Sequence, residues 1–392
     1  MSSSVPGISK KLNSEELARY SRHILLDEIG VAGQEALKNS RVLVVGAGGL
    51  GSPVAMYLAA AGVGAMGLAD FDVVELHNLQ RQIIHATSEI DAKKTLSAQK
   101  RIQEINPNVR LEIHEEGVQA HNALDLFCKY DIIVDGSDNF STRYLNTDAA
   151  YFAKKPLVYG SIFKFEGQVS LFHPAQEGPC YRCLFPEPPP PGSVPSCGEA
   201  GVFGALCGVI GSLQALETVK YITGIGEPLI GSLLVSNTLN MSFRRLKLKK
   251  DPSCPLCSEQ ATIRKIDPLT YQYACEIPED PTTMETNYPI EIDINETKRL
   301  LDETEAMLVD VREPFEFDIC SIDGSLKIPM NSIPSNLDRL PKDKHILFHC
   351  HHGGRSMNVV KYLRQNGYEN TTNVAGGIDA WAIEIDPSLQ RY

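Results

Sequence analysis

Two α/β domains joined by an acidic tether are the architecture that this 392-residue chain predicts, on three observations. An apolar run ends in a glycine-rich turn and reopens as an apolar helix. A second buried run, "YDIIVDGSDN", ends in a polar cluster, and strand–helix alternation resumes after a polar stretch beyond Asp267. The length agrees, because a single hydrophobic core seldom grows past about 250–300 residues.

From Arg41, "RVLVVG" reads as a buried strand, "LGSPVAMYLAAAG" as the helix that follows, and the run ending at "LADFD" as a second strand, which together make a βαβ unit. A charged helix around Ala92 to Ile105 leads to "LEIHEEGV". This alternation implies a doubly wound, mostly parallel sheet with ligands at the carboxyl ends of its strands. After "PLVYGSIFKFEGQVSLFHP" come one Cys pair, the proline tract "PEPPPPGSVPSC", an apolar segment and a second Cys pair. The proline tract reads as an extended, exposed loop. The apolar segment, Gly201 to Leu216, is shorter than the ~20 residues of a membrane span and is followed by Glu217 and Lys220. It reads as a buried helix that approaches a neighbour closely through Gly204, Gly208 and Gly211.

The domains expected are residues 1–266 and 289–392, with a tether at 267–288 that could reach ~70 Å when extended. The second domain is a small α/β unit built from "AMLVDVRE", "GSLKIPM", "HILFHC", a helix near Arg355 to Gln365, and "TTNVAGGIDAW".

Net charge is -12, and Tyr271 to Glu305 alone holds ten carboxylates against Lys298 and Arg299. An acidic balance argues against direct binding to nucleic acid or an anionic membrane. With no signal-like apolar core near the N-terminus, a cytoplasmic location is expected, and there ten cysteines read as thiols and metal ligands rather than disulfides.

"GAGGLG" places Gly46, Gly48, Gly49 and Gly51 in a G-x-G-x-x-G turn between strand and helix, where backbone amides approach a phosphate. Asp70 follows Gly51 by nineteen residues, as for a ribose contact. This much fits NAD as well as ATP. Downstream, "DFDVVELHNLQRQ" supplies Asp72, Asn78, Gln80 and Arg81, "DAKK" supplies Lys94, and "DGSDN" supplies Asp138 and Asn139. A triphosphate needs cations on its phosphates and a carboxylate for Mg2+, whereas hydride transfer needs neither. A lone arginine or lysine is usually a solvated helix charge, but their joint appearance favours ATP.

These segments, with "RYSRHILL", "DGSDNFSTRYLN" and "CYRC", resemble the ubiquitin-activating-enzyme-like adenylyltransferases of the MoeB and ThiF group over roughly Glu15 to Ser258. The resemblance implies a homodimer that adenylates the C-terminal glycine of a ubiquitin-fold sulfur-carrier protein ending in Gly-Gly. It further implies that Gly49 faces the phosphates, Asp70 holds the ribose, and Asn78, Arg81 and Lys94 stabilise charge as pyrophosphate leaves. Asp138 would hold Mg2+, and Arg22 would reach into the partner protomer's nucleotide site.

Cys180 and Cys183, then Cys254 and Cys257, are two C-x-x-C pairs, spaced to give four thiolates to a closed, structural Zn2+ site that staples distant segments. Redox-active pairs are the weaker alternative, since neither lies at a strand-to-helix turn. Cys197, after the proline tract and before a helix, sits where a thiolate is stabilised and accessible. In related sulfur-carrier enzymes a cysteine here is proposed to take the activated glycine as a thioester or to form a transient disulfide. The remaining cysteines, Cys128, Cys207, Cys275 and Cys320, read as core or incidental thiols.

"HCHHGGRS" puts Cys350 at a strand end and Arg355 five residues on, with only four residues between them. A cysteine-dependent phosphatase loop has five, and the shorter ring of amides suits sulfur better than phosphate. With "LVDVREPFEF", "GSLKIPM" and "VAGGIDAW", Ile290 to Ala382 resembles a rhodanese sulfurtransferase. The loop amides, Arg355 and the helix start would favour a thiolate and then a persulfide at Cys350, while Asp310 and Arg312 hold the loop. A fused adenylyltransferase–sulfurtransferase is thus expected, serving the molybdenum cofactor, thiamine, cysteine or tRNA thiolation, with sulfur from a cysteine desulfurase or thiosulfate. An NAD-linked oxidoreductase and an adenylating enzyme with an inert second domain are the alternatives.

Overall fold

The computed structural model describes residues 11–176, 178–189, 201–271 and 288–392. Cys197, most of the proline tract and most of the acidic tether lie outside them. The chain divides into two compact units, Met1–Ile277 and Pro278–Tyr392.

The first unit is built on an eight-stranded sheet of order β3-β2-β1-β4-β5-β6-β7-β8. Its parallel half comprises β1 (Arg41–Val45), β2 (Ala65–Ala69), β3 (Arg110–His114), β4 (Ile132–Asp135) and β5 (Leu157–Phe163). The order reverses at β1, and the crevice there lies between the ends of β1 and β4. In β1, Val42 and Val44 pack into one core cluster and Leu43 and Val45 into another, so alternate side chains bury both faces. Each such burial contributes roughly 1.5–3 kcal/mol.

The sheet is less parallel than the sequence suggested. β6 (Glu166–Phe172), β7 (Ser232–Asn237) and β8 (Ser242–Lys247) extend it as an antiparallel meander. "LVYGSIFKFEGQVSLF" is a hairpin, whose turn places Lys164 at φ 53°. A hairpin needs no crossover helix, so it appends to a parallel sheet only as antiparallel strands.

The apolar helix runs Gly204–Thr223, beyond the expected end at Leu216. Glu217 does not stop it, because its carboxylate is buried and accepts from the Leu229 amide at 2.6 Å and from Lys220 at 2.7 Å. Gly224, at φ 74°, does. Close approach is found at two of the three glycines. A Cβ at Gly204 would lie 2.5 Å from the Gln80 carbonyl oxygen and one at Gly211 would strike Pro53, whereas Gly208 faces open space.

Residues expected to open the tether instead remain with the first unit. Pro268–Tyr271 is a helical turn, and the Tyr271 hydroxyl donates to Asp148 at 2.5 Å. Asp148 also receives a two-pronged bond from Arg182, at 2.7 Å each, which fastens the first Cys pair to the Phe140–Phe152 helix.

The second unit has a five-stranded parallel sheet, β11-β10-β12-β13-β9. Its strands are β9 (Glu291–Ile292), β10 (Met307–Asp310), β11 (Leu326–Lys327), β12 (Ile346–His349) and β13 (Thr371–Val374). Central β12 is buried throughout and ends just before Cys350, from which a short loop leads into the Gly354–Gln365 helix.

Candidate functional sites

The glycine loop closes at the carboxyl end of β1 by backbone packing. Gly46 has φ 89°, and a Cβ on it would sit 2.9 Å from the Gly136 carbonyl oxygen. At Gly51 a Cβ would overlap the Gly46 carbonyl oxygen, so only glycine closes this turn. Gly48 is the open one, its nearest neighbour being the Gln82 amide at 3.6 Å, while Gly49 rests against Cys207 and the Arg81 stem. The Gln82 Oε1 is buried with no hydrogen-bond partner among the described residues. It is an acceptor waiting beside the loop, which sequence reading passed over.

Asp70, at the end of β2, is turned to the loop. One carboxylate oxygen accepts from the Ala47 amide at 2.7 Å and the other from the Asp72 amide at 2.9 Å. Burial pushes its carboxyl up, against the opposing charge of Lys94 and these two bonds. Lys94 is buried and paired with Asp72 at 2.8 Å. Arg81 is half-buried and donates to its own turn at His77. Asn78 is likewise spent locally, accepting from the Glu75 amide at 3.1 Å, and Gln80 is exposed.

Asp138 follows β4 and is exposed, with no partner among the described residues. Its neighbour Asn139 caps the Phe140–Phe152 helix through the Thr142 amide at 2.9 Å. Thus Asp138 is an unpartnered carboxylate among the described residues, whereas Asn139 holds the backbone that presents it. Arg22 is exposed on the Ser21–Ile24 helix, and no bond joins it to the loop among the described residues.

The two Cys pairs do converge. The four sulfurs lie within 4.8 Å of one another, with Cys180 at 3.8 Å from Cys183, 3.5 Å from Cys254 and 3.6 Å from Cys257. A tetrahedral site with Zn–S near 2.3 Å places its sulfurs about 3.8 Å apart, so the donor set fits Zn2+. Closed by four thiols, the cluster is suited to a structural metal.

In the second unit, Cys350 is 2% exposed and its sulfur accepts from the Gly353 amide at 3.1 Å. Gly353 has φ 99°, and Gly377 packs so tightly on the Cys350 and His351 carbonyls that a Cβ would overlap them. Arg355 is clamped by Glu316 through two bonds of 2.6 and 2.7 Å. Burial opposes the Arg355 charge, but Glu316 and then Cys350 outweigh it and push the guanidinium up. Burial also opposes charge on Glu316, yet bonds from Arg355, the Glu313 amide and Tyr392 hold it down to about 2.

Asp310 and Arg312 form a fully buried pair, at 2.6 Å. Arg312 does not reach the Cys350 loop. It fixes the 316–320 segment through the Cys320 carbonyl at 2.9 Å and donates to the Tyr392 hydroxyl at 2.7 Å. Tyr392 then donates to Glu316 at 2.8 Å and stacks on His351, centroids 4.3 Å apart. Burial and the neighbouring His352 push His351 down to about 4, so the loop gains no charge from it at neutral pH. Sequence reading missed Glu316 and Tyr392. The first lay in view in "DVREPFEF", while nothing local marked the second, which lies eighty residues beyond Arg312.

Comparison with known proteins assigns a family to each of the two units. The sequence model of the ThiF family matches residues 20–256, and that of the rhodanese-like domain matches residues 293–384. The probable adenylyltransferase/sulfurtransferase MoeZ of Mycobacterium tuberculosis is 45% identical over 401 residues, covering 100% of both chains. The adenylyltransferase and sulfurtransferase MOCS3 of Culex quinquefasciatus is 41% identical, over 97% of this chain and 91% of that one. A sulfur carrier protein adenylyltransferase of Thermus thermophilus is 51% identical over 67% of this chain and 97% of its own. Among solved structures, E. coli MccB with a MccA derivative shares the fold at TM-score 0.56 and 22% identity, over 64% of this chain and 76% of that one. No helix among the described residues is long and apolar enough to cross a membrane.

Proposed function

Since this chain belongs to the ThiF family, runs on into a rhodanese-like domain, and is an adenylyltransferase and sulfurtransferase acting on a sulfur-carrier protein, we propose how its residues divide that work. The carrier is a ubiquitin-fold protein ending in Gly-Gly. ATP lies along the Gly46–Gly51 loop, with Gly48 leaving room for its phosphates and Gly49 packing the loop against Cys207. A carboxylate oxygen of the carrier's last glycine attacks the α-phosphorus, and pyrophosphate departs. Arg81 and Lys94 meet the charge that develops, Lys94 exchanging its bond to Asp72 for the phosphates. Bound Mg2+ would neutralise phosphate charge, with Asp138 as its ligand. Asn78, Gln80 and Asn139 shape the turns that carry these groups, and Arg22 completes the site of a partner protomer in a homodimer. Zn2+ on Cys180, Cys183, Cys254 and Cys257 supplies rigidity only.

In the second unit the Cys350 thiolate attacks the sulfane sulfur of thiosulfate or of a cysteine desulfurase persulfide. The donor S–S bond breaks, sulfite or the desulfurase thiolate leaves, and Cys350 becomes a persulfide. The Gly353 amide and Arg355 stabilise its negative charge. The terminal sulfur attacks the acyl-adenylate carbonyl and AMP leaves, giving an acyl disulfide. A second thiolate, assigned to Cys197, attacks the Cys350 sulfur. The carrier thiocarboxylate departs and Cys197 and Cys350 are left as a disulfide for a cellular reductant to open.

The observation that carries this reading is the Gly353 amide on a cysteine at a strand end, five residues before a clamped arginine, in the same chain as the glycine loop. Intact mass spectrometry of a Gly-Gly carrier incubated with the protein, ATP, Mg2+ and thiosulfate tests it. A sulfur-for-oxygen gain that Cys350→Ala abolishes is expected; a gain that survives Cys350→Ala would overturn the assignment.

A further inference from the structure

Just past "NLQRQ" a buried histidine grips the glycine loop from below. His85 is 6% exposed, and its Nε2 lies 3.0 Å from the carbonyl oxygen of Ala47, the second residue of the loop. Its Nδ1 lies 2.7 Å from the Ser97 hydroxyl, which lies 2.6 Å from a carboxylate oxygen of Glu89. Because the Ala47 amide is held by Asp70, this one residue of the loop is pinned on both sides.

Counting hydrogens makes the arrangement specific. A carbonyl only accepts, so Nε2 must carry a proton. Three contacts need three hydrogens, yet Ser97 offers one and a neutral imidazole one. The third is an extra proton, held either as an imidazolium facing the Glu89 carboxylate or as a neutral imidazole facing a protonated Glu89. Both states keep every bond, and passage between them moves one proton through Ser97. Losing that proton leaves two lone pairs facing each other, and one bond of the chain must break.

We propose that His85 is a positioning residue for adenylation, fixing the glycine loop through the Ala47 carbonyl, and that Ser97 and Glu89 make this grip proton-linked. The inference rests on the Gly46–Gly51 loop being the ATP site. The charges facing His85 are Asp70 and Glu89, which favour its proton, and Lys94, which opposes it. Burial weighs most and pushes His85 toward the neutral form; burial also opposes charge on Glu89, but bonds from Ser97 and from Lys100, 3.1 Å away, hold that carboxyl below its ordinary range. The extra proton is therefore loosely held, and it leaves as pH rises.

The test is carrier-dependent ATP–pyrophosphate exchange by the full-length protein from about pH 8 down to about pH 5, because burial places the His85 midpoint below the ordinary histidine value. The KM for ATP should rise about five- to tenfold with pH, the worth of one hydrogen bond, with little change in kcat. Glu89→Gln supplies the third hydrogen permanently from its amide, so KM should stay low and flat. His85→Gln keeps a donor for Ala47 without titrating and should also be flat. A wild-type KM independent of pH, or an inflection retained in both variants, would overturn the proposal. If His85→Gln does not fold, as thermal denaturation would show, Glu89→Gln decides alone. Wild-type protein without exchange at any pH would instead sink the reading of the loop as the ATP site.

Discussion

Two loops of this molecule share one design and differ in what they leave open. Each follows a central strand of a parallel sheet, β1 or β12, and each opens a helix, Gly51–Ala61 or Gly354–Gln365. The first loop carries no chemistry on its own side chains. It offers amides and space, and its charged groups arrive from three other segments at Asp70, Lys94 and Asp138. The second carries Cys350, the thiol to which we assign sulfur transfer, buried under Gly377 and with His351 covered by Tyr392. A loop that admits a substrate's phosphates must stay open, whereas one that stores a reactive sulfur gains from excluding water and holding its cation rigid.

The sharpest break in that comparison is Cys350→Ser. It should lower thiocarboxylate formation by at least about 1,000-fold while ATP–pyrophosphate exchange continues, since the hydroxyl cannot carry sulfane sulfur. Glycine substitutions should separate the loops almost as cleanly. Gly51→Ala forces overlap with the Gly46 carbonyl, and Gly377→Ala with those of Cys350 and His351 at a φ of 57°. Each should cost about 100-fold in its own half-reaction, assayed by pyrophosphate exchange and by thiosulfate sulfurtransfer, and leave the other within about twofold.

Metal removal should act on the first unit alone. Cys254→Ser should release bound zinc, measured by elemental analysis, and lower the melting temperature of that unit through loss of several kcal/mol. Loss of stability in the rhodanese-like unit instead would count against this division.

Acid should act on the second loop through Glu316 and His351. Glu316 is held near 2 against an ordinary 4.5, so its contribution is complete above about pH 4.5 and is lost as pH falls toward 2. His351 is held near 4 against 6.5, so the unfolded chain binds its proton first, and stability falls as pH drops from about 6.5 to 4. NMR titration of His351 should give a midpoint near 4, moving upward in Tyr392→Ala, which uncovers the ring. An unmoved midpoint would show that Tyr392 does not seal the loop. The smallest effect is expected for Tyr392→Phe. Removing a hydroxyl that joins Arg312 to Glu316 should cost about 1–2 kcal/mol in urea unfolding.

The alternation of apolar and polar runs located the parallel strands and the long helix, because periodicity follows from backbone geometry alone. It did not foretell the antiparallel meander β6–β8, since a strand's direction is set by its connection and not by its composition. The C-x-x-C pairs announced a four-thiol site, and the structure supplied the convergence across seventy intervening residues.

By itself the sequence determined the chemistry available: a glycine-rich strand-to-helix turn, four thiols in metal spacing, and a cysteine five residues before an arginine. Those are local facts, carried by residue type and by neighbours in the chain. Only the tertiary structure decided how each group is employed. It turned Asp70 and His85 onto the two sides of Ala47, paired Lys94 with Asp72, left Asp138 free beside the capping Asn139, and brought Glu316 and Tyr392 to the Cys350 loop. Charge, burial and hydrogen bonding depend on which groups meet in space, and residues far apart in the chain meet only when it folds.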